Sequence, residues 1–430
     1  MLARGLFWIT VYVAAVLSPL VVAAVATAAA PRSWMTEFSV ALGFLALMIF
    51  GLQFGLVARF QRVSAPFGMD ALIQYHRQIA VVAALFALAH PILLFIEDPA
   101  KLKLLNFLEA PVRARYAELA TLSLLAVTAI SIFRKRLRLS YEAWQFLHGL
   151  LAVALVGCSL GHAFGVGFYS GRPETRMLWL ALSGGLVALL GWVRIVKPLL
   201  RLRHPWRVDE VKAERGGAWT LTLSPVGHAG LTFEPGQFAW LIAGRSPFAL
   251  TQHPFSFSSS PDSSGRVSFT IKARGDFTRS IAGIAPGTRA YLDGPHGLFT
   301  LSRHDAPGFV LIAGGVGITP LISMIRSLAA RRDPRPVLLF YGNKDWEGVT
   351  FREELEGHRV VHVIESPPPE WKGERGFITA ELLRRHLPEG VASFRFFVCG
   401  PIPMMDAMER ELSSLGVPDE NVVTERFDMV

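Results

Sequence analysis

The sequence predicts an α-helical membrane domain of six spans, followed by a globular half in which a small antiparallel β-barrel precedes a parallel α/β sheet. Three observations carry this prediction. The 430-residue chain is 51% hydrophobic and only 18% charged, with a mean hydropathy of +0.38, values unusual for a soluble enzyme. Long apolar stretches recur in roughly the first 200 residues, whereas the remainder reads as an ordinary globular chain. Within that remainder, short strand-like runs give way near Gly308 to alternating strands and helices. The expected divisions are 1–204, 205–304 and 305–430.

The apolar stretches place spans at about residues 5–29, 36–57, 74–96, 117–133, 143–165 and 177–198. An even count puts both termini on one side. Arg59 and Arg62 follow the second span, Arg134, Lys135, Arg136 and Arg138 the fourth, and Arg194, Lys197, Arg201 and Arg203 close the sixth. Positive charge marks the inner side, so both termini and the globular half are expected in the cytoplasm, as a multi-pass protein of the cell (inner) membrane. Lys101, Lys103, Arg113 and Arg115 then fall outside, accompanied by Glu97, Asp98 and Glu109. The first segment has the basic start of a signal peptide, and Ala28-Ala29-Ala30 resembles a cleavage site. Its apolar length favours a retained span.

A formal charge of +9 would point to nucleic acid or anionic lipid if it formed one solvated patch. Many of the basic residues instead flank apolar segments, which makes membrane lipid the expected partner and excludes nucleic acid. With only Cys158 and Cys399, no disulfide framework arises.

The third span holds His76 and His90, the fifth His148 and His162, and each pair is separated by fourteen residues. Fourteen residues rise about 21 Å and return to within about 40° of the starting face, so each pair lies on one helix face with one member toward each membrane surface. Spans separated by one other run in the same direction. His76 is therefore level with His148 near the inside, and His90 with His162 near the outside. Two imidazoles at one depth suit bis-histidine ligation of a haem iron, giving two b-type haems across the bilayer. The alternative is four buried histidines bonded to other helices; matched spacing favours ligation. Gly149, Gly157 and Gly161 would let a flat macrocycle approach, though plain helix packing uses glycine as well.

In the globular half, Trp219 to Leu223 and Val267 to Ile271 read as barrel strands. The later alternation pairs the strand Phe309 to Ala313 with a helix Thr319 to Ala330, Pro336 to Tyr341 with Phe351 to Gly357, and Phe394 to Val398 with Pro403 to Leu415. The turn Gly314-Gly315-Val316-Gly317-Ile318-Thr319-Pro320 follows a strand and opens a helix, where free N–H groups can take a pyrophosphate. It is neither a P-loop nor the full dinucleotide fingerprint, because Pro320 stands at the third glycine position.

These features join a further set: His253-Pro254-Phe255-Ser256-Phe257-Ser258-Ser259 before that turn and Cys399-Gly400-Pro401 after it. Their order is that of a ferredoxin-reductase-like module. With the four histidines, the chain resembles the NADPH oxidase and ferric reductase superfamily, including its compact bacterial members. The resemblance implies FAD in the barrel, NADPH or NADH on the α/β sheet, and electron flow from nicotinamide C4 to flavin N5 and then through two haems. It implies that Phe255 lies against the isoalloxazine, that Ser256 approaches N5, and that His253 replaces the arginine of soluble relatives near the pyrophosphate. A second flavin motif, Ile271 to Thr278, contributes Lys272, Gly275 and Thr278; alone it reads as a plain hairpin. Cys399 would stand near the nicotinamide and Phe427 near the hydride-accepting face, whereas on residue type alone both read as core. Asn343 and Lys344 follow the second α/β strand, where Lys344 suits a 2′-phosphate and the neighbouring Asp345 a ribose hydroxyl. The acceptor implied is dioxygen, giving superoxide, or an external ferric chelate. A docked partner protein fed by the haems, and a reductase with a haem-free anchor, are the other readings.

Overall fold

A computed structural model describes residues 2–26, 32–263, 265–303, 305–388 and 390–426. Ala28–Ala30 and Phe427 lie outside these. The chain divides into two compact units, Met1–Lys197 and Pro198–Val430.

The first unit holds the helices Leu2–Ala26, Trp34–Leu56, Met69–Glu97, Val112–Ile132, Tyr141–Val166 and Pro173–Gly191. The last continues through a π-helical turn, Trp192–Val196, into Lys197–Leu202. All six are long and apolar enough to cross a membrane. The third begins five residues before the apolar stretch that predicts it, because helical hydrogen bonding runs on past the hydrocarbon-length segment to a capping residue. Ser33 and Ser140 supply such caps, accepting from the N–H groups of Thr36 and Ala143, and Gly167 ends the fifth helix at φ 74°. Large apolar side chains such as Leu85, Leu122 and Val187 point outward. That surface suits lipid, while Leu47, Phe50, Leu124, Leu155 and Trp179 fill the interior. The chain is a multi-pass membrane protein.

The second unit carries two sheets. The first is antiparallel: β1 (Trp206–Glu214), β2 (Ala218–Pro225), β3 (Phe238–Ala243), β4 (His253–Ser256), β5 (Val267–Lys272) and β6 (Arg289–His296), in the order β4-β3-β6-β1-β2-β5. Its two edges meet through a bridge between Phe257 and Phe269, which curls the sheet toward a barrel. Pro254 is tolerated on edge strand β4, where a missing N–H costs least. Fully buried Phe238, Phe257, Phe269 and Leu221 fill this region, each contributing about 1.5–3 kcal/mol of apolar transfer.

The second sheet is parallel: β7 (Phe309–Gly314), β8 (Val337–Asn343), β9 (Val360–Ile364), β10 (Glu374–Arg375), β11 (Arg395–Cys399) and β12 (Val422–Thr424). The order β10-β9-β8-β7-β11-β12 reverses direction between β7 and β11, which opens a crevice at the carboxyl ends of those two strands. Helices Ile318–Ala330 and Ile402–Ser414 follow β7 and β11. The expected helix Phe351–Gly357 forms turns instead. Phe351 is left-handed at φ 62° and Gly357 stands at φ 90°, so a seven-residue segment is interrupted at both ends.

Gly236 shows how tightly the unit closes. It stands at φ 97°, and a Cβ there would lie 1.9 Å from the carbonyl oxygen of Phe299. Gly236→Ala is expected to destabilise the unit by about 2 kcal/mol or more, lowering its melting midpoint by about 4–8 °C in a thermal scan. Gly283→Ala, where a Cβ meets nothing within 4 Å, serves as the comparison; equal midpoints for the two variants would contradict the packing described.

Candidate functional site

In the first unit the third and fifth helices bring the four histidines into two pairs. The ring centroids of His76 and His148 are 6.3 Å apart, as are those of His90 and His162. Two imidazoles on opposite sides of one metal, with bonds of about 2.0–2.1 Å and about 1.1 Å from nitrogen to ring centre, have centroids about 6.3 Å apart. The observed spacing fits an iron between each pair. Among the described residues no group of three or more His, Cys, Asp or Glu gathers to hold a metal; each pair brings two imidazoles together.

The other ring nitrogen decides the tautomer. Nδ1 of His90 donates to the carbonyl oxygen of Ser39 at 2.9 Å and that of His162 to the carbonyl oxygen of Arg113 at 2.8 Å. Nδ1 of His148 lies 3.1 Å from Oγ of Ser131, whose own hydrogen goes to the carbonyl of Val127 at 2.7 Å. Ser131 therefore accepts, and His148 donates. In all three rings Nε2 keeps the lone pair that a metal needs. A Cβ added at Gly149 or Gly157 meets nothing within 4 Å, consistent with room for a flat group. For Gly161 the geometry favours the packing reading: a Cβ there would lie 3.2 Å from the Tyr116 ring. Gly43, unmarked in the sequence reading, gives His90 its space at 3.3 Å.

In the second unit His253 and Phe255, two apart on β4, share a sheet face. Phe277 lies flat on His253, with centroids 3.9 Å apart at 10°, and 6.1 Å from Phe255 at 17°. These near-parallel rings offer a planar group a surface to lie against. The sequence reading did not single out Phe277. Ser256 ends the strand and is nearly buried. Ser258 and Ser259 turn inward: Thr270 donates to the Ser258 hydroxyl at 3.0 Å, and the Ser268 N–H to that of Ser259 at 3.0 Å. Their carbonyls receive Arg326 and Ser323, each at 2.6 Å. Those two bonds fasten the strand to the helix Ile318–Ala330.

The hydroxyl of Thr278 accepts from the N–H groups of Arg274 and Gly275 at 2.9 and 2.8 Å and donates to the Gly275 carbonyl. It is saturated within its own turn. A Cβ at Gly275 would meet only Thr278 Oγ1, at 4.0 Å, so the protein itself leaves that glycine open to a ligand. Lys272 is shifted below the usual lysine range by burial and by Arg274, against which Asp345 acts.

At the crevice, Gly314, Gly315 and Gly317 lead into the helix Ile318–Ala330, which has no side-chain N-cap. Its first N–H groups face an anion's natural position. A Cβ at Gly317 would stand 2.2 Å from the carbonyl oxygen of Cys399, and one at Gly314 2.3 Å from Sδ of Met404. The Cβ at Gly317 would also stand 2.8 Å from Cα of Gly400, so the β7 and β11 turns pack backbone to backbone. Thr319 donates to the Val316 carbonyl at 2.8 Å, Pro320 is buried behind it, and Pro401 begins the next helix as its N-cap. At the end of β8, Nδ2 of Asn343 is buried without a partner, which leaves a donor for a ligand. Lys344 is exposed; Asp345 accepts from the Gly348 N–H at 2.7 Å.

Three family models match. One for the ferric reductase like transmembrane component covers residues 42–159, one for an FAD-binding domain 219–290, and one for the oxidoreductase NAD-binding domain 311–410. NADH-cytochrome b5 reductase 1 of Aspergillus terreus is 30% identical over 187 residues, 40% of this chain and 63% of that protein. Its counterpart from Candida albicans is 30% identical over 183 residues, 40% of this chain and 62% of that protein. The chain thus spans under two thirds of these curated relatives. Among solved structures, the ferredoxin reductase in carbazole 1,9a-dioxygenase matches at 24% identity and TM-score 0.47, over 52% of this chain and 69% of that one. The flavohem-like FAD/NAD binding domain of nitric oxide dioxygenase from Vibrio cholerae O1 biovar El Tor matches at 22% and 0.46, over 52% and 98%.

Cys399 sits at the base of the crevice, 2% exposed. Burial, reinforced by the charge of Glu425, pushes its thiol well above the usual cysteine range. A neutral thiol is a poor nucleophile. Iodoacetamide at neutral pH is expected to spare Cys399 in the folded protein and to modify it after denaturation, as read by peptide mass mapping. Native-state labelling at a comparable rate would contradict this placement.

Proposed function

From the three-domain architecture of the NADPH oxidase and ferric reductase superfamily, which this chain has, we propose that it moves electrons from cytoplasmic NAD(P)H across the cell membrane to dioxygen, giving superoxide. The equal 6.3 Å spacing of the two histidine pairs carries this reading. His76 and His148 would hold an inner b-type haem, His90 and His162 an outer one. When bound, FAD converts a two-electron hydride into single electrons, and the haems supply two one-electron stations.

The chain's own residues arrange the rest. Phe255 would lie against the isoalloxazine of a bound FAD, Ser256 would approach N5, and His253, stacked on Phe277, would border the flavin site. Ser258 and Ser259 hold β4 in place through their inward bonds. Lys272 and the open backbone at Gly275 would face the pyrophosphate, with Thr278 shaping that turn by holding the N–H groups of Arg274 and Gly275. Gly314, Gly315, Gly317 and Thr319 cradle the nicotinamide cofactor's phosphates, with Pro320, Gly400 and Pro401 fixing the two turns. Cys399, neutral, sets the nicotinamide's position. Phe427 keeps the role the resemblance gives it, a ring over the hydride-accepting face. Asp345 is engaged by its own turn while Lys344 is exposed, which supports NADPH over the NADH named for the curated relatives.

With His90 and His162 as its ligands, the outer haem would have no open position, so the acceptor would stay outside the coordination sphere and take one electron at a time. Dioxygen meets that requirement. A ferric chelate does too, and an anionic one would be drawn by basic residues of the outer loop. Two of these are engaged, however: Lys101 lies 3.7 Å from Asp98, and Arg115 donates to the carbonyls of Leu108 and Ala110 at 2.9 Å. An electron leaving a negative cytoplasm moves downhill by up to about 2.3 kcal/mol per 100 mV.

The test is purified protein given NADPH in air, with superoxide detected by a dismutase-sensitive probe. Superoxide from the protein alone, faster with NADPH than NADH, is expected. His90→Ala should abolish it while dye reduction by the flavin persists. Ferric chelate reduction without superoxide would move the assignment to the chelate, and activity appearing only with an added protein would favour an electron-input role.

A further inference from the structure

Near the first histidine pair, Nδ1 of His76 and Oε1 of Gln53 are buried without a hydrogen-bond partner, as is Nε1 of Trp144, whose ring packs 5.2 Å from that of His148. The first donates in the tautomer that leaves Nε2 for a metal; the second can only accept. His76 and Gln53 sit on neighbouring helices that already share a bond there, since Nε2 of Gln53 donates to the His76 carbonyl at 3.1 Å. Unpaired, each would carry an uncompensated desolvation cost.

The second pair shows what completes such a contact. Oγ of Ser39 donates to the His90 carbonyl at 2.7 Å, and the Nδ1–H of the same ring is shared between the Ser39 carbonyl and that Oγ, each at 2.9 Å. Ser39 and Gln53 are fourteen residues apart on the second span, as His76 and His90 are on the third. Consecutive spans run in opposite directions, so Ser39 meets His90 and Gln53 meets His76. Both polar residues make the bond to the histidine's carbonyl. Only at His90 is the bond to the ring made as well.

We infer that Gln53 is the positioning residue of His76, its carboxamide bridging the ring and the backbone: Oε1 accepts from Nδ1–H while Nε2 holds the carbonyl. The inference rests on the haem reading above. Such a bond fixes the tautomer and ring plane and makes Nε2 a more basic ligand, which favours ferric over ferrous iron.

The experiment is an optical redox titration of the full-length, membrane-extracted protein without nicotinamide, with low-spin ferric resonance recorded alongside. Gln53→Met removes the acceptor and is expected to raise the midpoint of one haem by about a tenfold change in its oxidised-to-reduced ratio, 59 mV for one electron. That haem should also be retained about 10- to 100-fold more weakly, while the other is unmoved. Gln53→Glu keeps an acceptor oxygen, and its midpoint should stay at or below the parent's. Gln53→Met matching the parent in both midpoints and haem retention overturns the inference. So does an equal rise in Gln53→Glu, which would make Gln53 a packing residue. A parent protein without haem overturns the haem reading and this inference with it.

Discussion

An imidazole inside an apolar helix bundle is tolerated only where both of its ring nitrogens have something to bond. That constraint organises the membrane unit. Nδ1 of three of the four histidines is answered by an oxygen from a neighbouring span: the Ser39 carbonyl, the Arg113 carbonyl or the Ser131 hydroxyl. Nε2 is thereby left to a second partner, and the 6.3 Å pairing leaves space for a metal as that partner. Helix contacts follow the same logic, because the second span packs on the third and the fourth on the fifth, each supplying oxygens to the histidines beside it.

How far this was legible depends on what each part leaves in the residue pattern. The pairing of His76 with His148 and His90 with His162 follows from equal spacing on two helices of like direction, which a sequence records directly. Span positions were readable to a few residues, because apolar length marks hydrocarbon whereas caps such as Ser33 and Ser140 mark where hydrogen bonding stops. The oxygens that orient the rings were not readable where they are backbone carbonyls, since those carry no residue type. Ser39 and Gln53 did leave a signal, two polar residues at the histidines' own spacing in a helix whose other polar side chains, Thr36 and Glu37, lie in its first turn. Phe351 to Gly357 has helical composition, yet its terminal conformations forbid the helix, and left-handed Phe351 has no sequence mark.

The nucleotide unit separates two kinds of motif residue that look alike on paper. Gly317 is required by the protein itself, because the β7 and β11 turns leave no room for a Cβ. Gly275 is not, and its openness is a property a ligand would use. The hydroxyls divide likewise: those of Ser258, Ser259 and Thr278 are engaged within the fold, so their presence in the motifs reflects positioning as much as contact. Phe277 carries no mark in the sequence because its stacking on His253 is a tertiary event between β4 and the short helix Asp276–Ser280 after β5.

In the proposed function one chain joins a nicotinamide-reduced flavin to two bis-histidine haems. The most direct test of this is an anaerobic titration of the purified protein with NADPH, following flavin and cytochrome b bands together. With one FAD and two haems, full reduction should take about two nicotinamide equivalents per chain, with low-spin cytochrome b bands growing as the flavin bleaches. Bleaching complete at about one equivalent, with no cytochrome b band at any point, would contradict the account.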